Sequence, residues 1–239
     1  MAIKSSKGTK IHILLAGMTN CYLIEKDTVT ILVDSGVSKS YKKLNQQLKI
    51  ILGKQPSIDY HLLTHTHYDH AGNSEHIKKD FNAKIIVHEQ EAEWLKKGFT
   101  RLPKGTSWLF KLISNSGNRY ASSIGKYEPT TPDIIVNDQF SLSDDLKIIH
   151  TPGHTMGSES LLIDNEIALV GDTLFGIFKH KIFPPFADDV KTLYHSWEKL
   201  LVTQCSLFLP GHGKPVGRKN FEQYYFKKTH KKSLLSDKK

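Results

Sequence analysis

Thr64-His65-Thr66-His67-Tyr68-Asp69-His70-Ala71-Gly72 places four side chains of metal-ligand type, His65, His67, Asp69 and His70, within six consecutive positions. An extended run over 58–64 leads into this stretch, and a helical pattern from about Asn73 to Phe81 follows it. Histidines two apart on an extended segment point the same way, so His65 and His67 can share one ion. Asp69 and His70 lie past the turn and face a second position. Imidazoles with a carboxylate suit zinc, or iron or manganese, in a site left partly open to water. A polar loop whose histidines only solvate a turn would need no further ligands elsewhere, yet such residues recur downstream.

His65-Thr66-His67-Tyr68-Asp69-His70 resembles the His-x-His-x-Asp-His signature of the metallo-β-lactamase fold superfamily of metallohydrolases. Further landmarks of that family stand in order along the chain: Asp34-Ser35-Gly36 before it, then Thr151-Pro152-Gly153-His154-Thr155, Gly171-Asp172-Thr173-Leu174-Phe175 and Pro210-Gly211-His212-Gly213. The resemblance covers about residues 10 to 215. It implies an α+β fold, a four-layer αβ/βα sandwich of two mixed β-sheets packed face to face with helices on the outer faces. Carried over position by position, it puts His65, His67 and His154 on one metal and Asp69, His70 and His212 on a second, with Asp172 bridging both. Two divalent ions follow, zinc first, with iron or manganese as alternatives. Asp34 would sit near the metals without binding them; locally it reads as the cap of the helix over 38–52.

That constellation has a physical logic of its own. Three imidazoles leave an ion with an open position, and a bridging carboxylate holds two ions about 3.5–4 Å apart. Water between two dications loses a proton near neutral pH, which supplies hydroxide without a strong side-chain base. Asp69, besides binding metal, is placed to orient that hydroxide, so Asp69 and Asp172 are the candidate catalytic residues. The ions would also polarise the scissile carbonyl or phosphoryl oxygen. Ser35 and Ser158 lie near the motifs, but neither has a base in register.

The rest of the chain fits an enzyme of one domain spanning 1–239. Its 38% hydrophobic and 24% charged residues are ordinary for a globular protein. Cys21 and Cys205 offer no disulfide framework, which makes a reducing cytoplasm the default. No apolar run reaches membrane-spanning length, so no membrane partner is expected. The state is a monomer or homodimer. Net charge is +9, and 214–239 carries nine Lys/Arg against Glu222 and Asp237. Such a tail can contact nucleic acid, but a solvated terminal helix with Phe221, Tyr224, Tyr225 and Phe226 against the body is the favoured reading.

In order, the chain predicts strands over 9–15, 21–25 and 29–34, then the helix over 38–52 and the metal-loop strand. Asn73 or Ser74 would cap the helix after it. A strand over 83–88 and a helix over 89–97 come next, with His76 and His88 as surface or packed histidines. Residues 98–132 break the rhythm and read as a lid or pocket wall bearing Trp108 and Phe110, or as a surface helical hairpin. Strands over 133–136, 146–150, 161–164, 168–170 and 207–209 and a helix over 190–202 complete the pattern, with His154, Asp172 and His212 after strand ends.

Within the family, true β-lactamases generally lack a bridging aspartate at the Asp172 position, whereas the glyoxalase II, lactonase and tRNase Z branches have one. Gly171–Phe175 looks most like glyoxalase II, but the continuation over 176–181 departs from it. The 27 residues after His212 are too few for its glutathione-gripping helical domain. Lactonases of this fold typically carry tyrosine where this chain has Phe175; an acyl pocket would then draw on Trp108, Phe110 and Phe178. Lys179, His180 and Lys181 form a potential basic rim. The expected activity is hydrolysis of a small carboxylic ester, lactone or thioester. The alternatives are a phosphodiesterase or ribonuclease, and a mononuclear iron enzyme against which an intact second site argues. The partner is a small-molecule substrate; nucleic acid is the less favoured one.

Overall fold

The computed structural model describes residues 2–177 and 181–236, without the side chains of 117–124 and 230–236. Alternating apolar residues build two sheets. The first runs through β1 (Ala2–Lys4), β2 (Lys10–Ala16), β3 (Thr19–Lys26), β4 (Val29–Val33), β5 (Tyr60–Leu62), β6 (Lys84–His88) and β7 (Ile134–Val136) in that spatial order. Its first four strands are antiparallel and β4 to β7 are parallel. The second has β8 (Gln139–Ser143), β9 (Leu146–His150), β10 (Glu159–Ile163), β11 (Ile167–Gly171), β12 (Leu207–Pro210) and β13 (Val216–Gly217), again neighbours in chain order. All its pairs are antiparallel except β11 with β12. Both sheets are mixed, and the chain crosses between them at Asn137-Asp138.

Period-two alternation decides which face meets which. Tyr22, Ile24, Ile31, Val33, Leu62 and Ile86 of the first sheet meet Ile148, Leu161, Ile163, Leu169 and Leu209 of the second in the central core. The residues between them in sequence face outward. Leu23 and Leu32 lie under α1 (Tyr41–Leu52) and α3 (Ser74–Phe81) through Leu44, Leu48, Ile77 and Phe81. Ile85 and Val87 take Ala92 and Leu95 of α4 (Glu89–Lys97). On the other side, Ala168, Val170 and Phe208 meet Leu193, Trp197 and Leu200 of α6 (Val190–Val202) and Phe221 of α7 (Arg218–Ser236). These are the four layers that the resemblance implies. No helix among the described residues is long and apolar enough to cross a membrane.

Several local expectations need correction. The metal loop contains a one-turn helix, α2 (Tyr68–Ala71), that sequence did not indicate, and β1, β8 and β13 were also not anticipated. Asn73 occupies the N-cap position of α3 without capping it. Its amide instead donates to the Ser35 carbonyl at 2.6 Å and the Val37 carbonyl at 3.0 Å, tying the α3 entry to the Asp34 loop. Asp34 caps nothing; it faces the histidines. The stretch over 98–132 holds a single helix, α5 (Trp108–Ile124), rather than a hairpin of helices. Phe178, Lys179 and His180 lie outside the described residues.

Far from the metal loop, at the other end of β10, Asp164 fastens the sheets. It accepts from the hydroxyls of Ser5 and Thr9, both at 2.5 Å, and from Lys26 Nζ at 3.2 Å. At the loop end, the fully buried Trp197 donates its indole N–H to the Thr173 carbonyl at 2.7 Å, steadying the turn that carries Asp172. Trp197→Phe keeps most of the ring volume but orphans that carbonyl. Chemical denaturation should register a loss of about 1–3 kcal/mol.

Candidate metal centre

All seven residues singled out from sequence converge at one edge of the sandwich, where the loops after β5, β9, β11 and β12 meet. His65, His67, His70, His154, Asp172 and His212 are buried, and Asp69 is partly exposed. Their ligand atoms form three groups lying within 4.8 Å: His65 with His67 and His154; His65 with His70 and Asp172; Asp69 with His70 and His212. Asp172 stands between them. Its Oδ1 is 3.5 Å from His70 Nε2, and its Oδ2 is 3.5 Å from His212 Nε2 and 3.6 Å from His154 Nε2. Asp69 Oδ2 is 3.3 Å from His212 Nε2.

Each imidazole uses one ring nitrogen to fix its orientation. His65 Nδ1 donates to Thr64 Oγ1 at 3.1 Å, and His67 Nε2 to the Arg101 carbonyl at 3.1 Å. His70 Nδ1 donates to Asp34 Oδ2 at 2.8 Å, His154 Nδ1 to the Phe186 carbonyl at 3.0 Å, and His212 Nδ1 to the Met18 carbonyl at 3.0 Å. The five remaining nitrogens therefore face inward, free to take a metal ion or a proton. They approach one another: His67 Nδ1 and His154 Nε2 are 3.1 Å apart, and His70 Nε2 and His212 Nε2 are 3.3 Å apart. Facing ring nitrogens at such distances must share either a proton or a metal ion. His65 Nε2 and Asp172 Oδ1 are buried without any hydrogen-bond partner, which is costly unless something binds them. The donor set thus fits two divalent ions.

The loops owe their positions to Asp34, which the resemblance sets near the metals, and to Glu91, Asn20 and Tyr22, which sequence reading passed over. Asp34, at a positive φ of 57°, accepts from the Thr64 N–H at 2.9 Å and its hydroxyl at 2.9 Å as well as from His70. Glu91 accepts from the Thr66 N–H at 3.0 Å and from the Thr66 hydroxyl, clamping the residue between His65 and His67. Asn20 donates from its side chain to the Pro210 and Gly213 carbonyls, and Tyr22 donates to Pro210, so strand β3 of the first sheet grips the His212 loop of the second. Asn20 registers in the sequence only as the polar end of an apolar run. Of the other histidines, His76 packs on Tyr41 at the surface and His88 stacks on His150 with ring centroids 4.0 Å apart; neither approaches the centre.

Charge divides the cluster. Burial, and repulsion from neighbouring imidazoles, hold His65 well below the ordinary histidine range. Burial likewise takes His67 down to about 4 and His154 to about 3. Burial acts on His70 in the same sense, but Asp34, Asp172 and Asp69 outweigh it and raise it to about 10. His212 is also raised, by Asp172 and Asp69 against burial. Asp69 is lowered despite its burial, because His70 and His212 favour its charge, whereas burial raises Asp172.

The metallo-beta-lactamase superfamily profile matches residues 14–212, and this chain belongs to that superfamily. It is 27% identical over 238 residues to the probable metallo-hydrolase YflN of Bacillus subtilis, covering 91% of this chain and 88% of that protein. It is 28% identical over 146 residues to the hydroxyacylglutathione hydrolase of Brucella ovis, over 61% of this chain and 44% of the relative. Among solved structures, TTHA1623 in a di-iron-bound form superposes with a TM-score of 0.65 at 20% identity, covering 90% of this chain and 97% of the other.

Two outcomes follow. Gly211 allows the His212 loop to approach closely, since a Cβ there would lie 2.6 Å from His70 Cε1 and 2.7 Å from Asp172 Oδ1. Gly211→Ala should weaken binding of one ion about 10–100-fold while the other is largely retained, as read by metal titration with elemental analysis. Separately, neighbouring carboxylates keep a proton on His70 near neutrality that an ion must displace, whereas burial keeps His65, His67 and His154 neutral. Calorimetry in buffers of different ionisation enthalpy, at about pH 7.5, should show about one proton released with one metal equivalent and almost none with the other. Raising the pH from about 6 to 8 should accordingly tighten the proton-releasing equivalent more.

Proposed function

We propose that this chain is a dinuclear-metal hydrolase of a small carboxylic ester, lactone or thioester. The observation that carries the reading is Asp172, whose two oxygens reach His70, His154 and His212 and so span both sets of imidazoles. In this reading His65, His67 and His154 hold one ion, Asp69, His70 and His212 hold the other, and Asp172 joins them. Zinc is the favoured metal, with iron as its main rival. Bound there, two divalent ions supply Lewis acidity toward a carbonyl oxygen and bring the pKa of water toward neutrality.

The protein's own groups do the rest. Asp69 is the most open of the seven and stays ionised next to His70 and His212, so its carboxylate accepts a hydrogen bond from the attacking water and aims it. The buried Asp172 and the tethered imidazoles keep the ligand geometry fixed, so little reorganisation accompanies the reaction. A cavity of about 360 Å³, lined not by the seven ligands themselves but by neighbours such as Arg101 and Thr155, is walled by Trp94, Leu102 and Met156 with Arg101, Lys104, Glu91 and Asp188. A volume near the lower limit for ligand sites favours a small acyl group. Trp108, by contrast, is 75% exposed and does not line it, so residues 100–104 rather than the α5 aromatics form the wall in this reading. Phe175 lies against His212, ring centroids 5.1 Å apart, and gives the site no phenolic hydroxyl. The relative named for hydrolysis of hydroxyacylglutathione supports a thioester within the substrate class.

Metal-loaded chain should be assayed side by side on an acyl lactone, a small thioester and an activated phosphodiester. Turnover of the carbonyl substrates is expected, with Asp69→Ala and Asp172→Ala each reducing kcat/KM by about 100-fold or more, a loss of roughly 2.7 kcal/mol of transition-state stabilisation. Asp172→Ala should also lower metal content. Turnover of the phosphodiester alone would move the chain to the phosphodiesterase reading, and an undiminished Asp172→Ala enzyme would remove the bridging role.

A further inference from the structure

A second cavity, of about 510 Å³, lies between the start of α5 and helix α7. It is bordered by Lys181, Lys227 and Lys228 and by the rings of Phe110, Phe183 and Tyr224, and none of the seven clustered ligands lines it. Its cations come from two separate stretches of chain, and among the described residues no carboxylate borders it. Lys181, Lys227 and Lys228 make no ion pair among the described residues, so three positive charges face one concavity uncompensated. Lys228 Nζ sits 5.6 Å from the centre of the Tyr224 ring, a cation–π contact that holds one charge at the rim. The first turn of α5 also borders the cavity and bears no acidic side chain, so the positive end of that helix adds to the same field.

The wall is built rather than incidental. Thr106 donates its hydroxyl to the Pro184 and Pro185 carbonyls, both at 2.9 Å, and its N–H to Pro185 at 2.8 Å. Phe110 meets Phe186 edge to face, with centroids 5.3 Å apart. The 183–186 strip is thereby held against α5, and it presents Phe183 beside the lysines of α7.

Three lysines around one cavity call for more than a single negative charge, and three rings call for a planar apolar group beside it. The volume suits one small molecule rather than a chain segment. We infer that this cavity binds a phosphorylated small molecule carrying an aromatic ring, of the chemical type of a nucleoside diphosphate. The site is separate from the metal centre and does not depend on the hydrolase reading. It gives a role to the lysines of the C-terminal helix, which the sequence presents only as a basic tail.

The test titrates ADP, adenosine and pyrophosphate into the metal-loaded chain, its K227E/K228E and K181E variants, and Asp172→Ala. ADP should bind at least about tenfold tighter than adenosine or pyrophosphate and weaken as salt rises. K227E/K228E and K181E, from different parts of the chain, should each weaken ADP at least about tenfold, while Asp172→Ala leaves its affinity unchanged. Loss of ADP binding in Asp172→Ala with no change in the lysine variants would place the phosphates on the metals and overturn the inference. Equal binding of pyrophosphate and ADP would remove the ring from the site, and the absence of saturable ADP binding would remove the site.

Discussion

The metal centre rests on one arrangement: five imidazoles, each tethered by its outward nitrogen, turn their other nitrogens into a common space. A histidine offers a lone pair on one side only when a proton is committed on the other. Here that commitment is made five times, to Thr64, Arg101, Asp34, Phe186 and Met18. Asp34 acts twice, directly on His70 and through the Thr64 hydroxyl on His65. The inward nitrogens are then crowded closely enough that they must share a proton or a metal ion. The sandwich accepts that electrostatic cost because its core, on both faces of both sheets, is made of closely packed aliphatic side chains.

The position of the centre at the edge of the sandwich follows from the topology. His65, His67, Asp69 and His70 leave the first sheet, whereas His154, Asp172 and His212 leave the second. Neither sheet can complete the cluster without the other. The braces that bring them together also cross the seam: Asn20 and Tyr22 to the 210–213 loop, Thr64 to the Glu159 N–H, and Met18 to His212. Burial then lowers His65, His67 and His154, whereas neighbouring carboxylates, including the Asp34 that tethers His70, raise His70 and His212 against it.

Four of the seven clustered residues were legible in the density of ligand types over 65–70, and His154, Asp172 and His212 in the resemblance to the superfamily's later motifs. The α4 and α6 helices, Glu89–Lys97 and Val190–Val202, stand where the sequence places them. The orienting partners of the ligands were not legible. Three of the five outward nitrogens bond to backbone carbonyls, of Arg101, Phe186 and Met18, and a carbonyl is the same in every residue. Glu91 looked like any first-turn acid of a helix, though it is buried and clamps Thr66. Asp34 looked like a cap because aspartate before a helix usually is one; its left-handed backbone turns the carboxylate to the histidines instead. The cavity at α7 joins segments far apart in sequence, so the lysines read singly as solvated charge.

The Asp164 junction gives the molecule a further property. At that end of β10 the sheets are fastened by Ser5, Thr9 and Lys26 around one carboxylate, whereas at the opposite end the hydrogen bonds across the seam surround the seven clustered ligands. The two ends thus differ in kind: one is closed by hydrogen bonds around a single carboxylate, the other frames a cluster of ligand-type side chains drawn from both sheets.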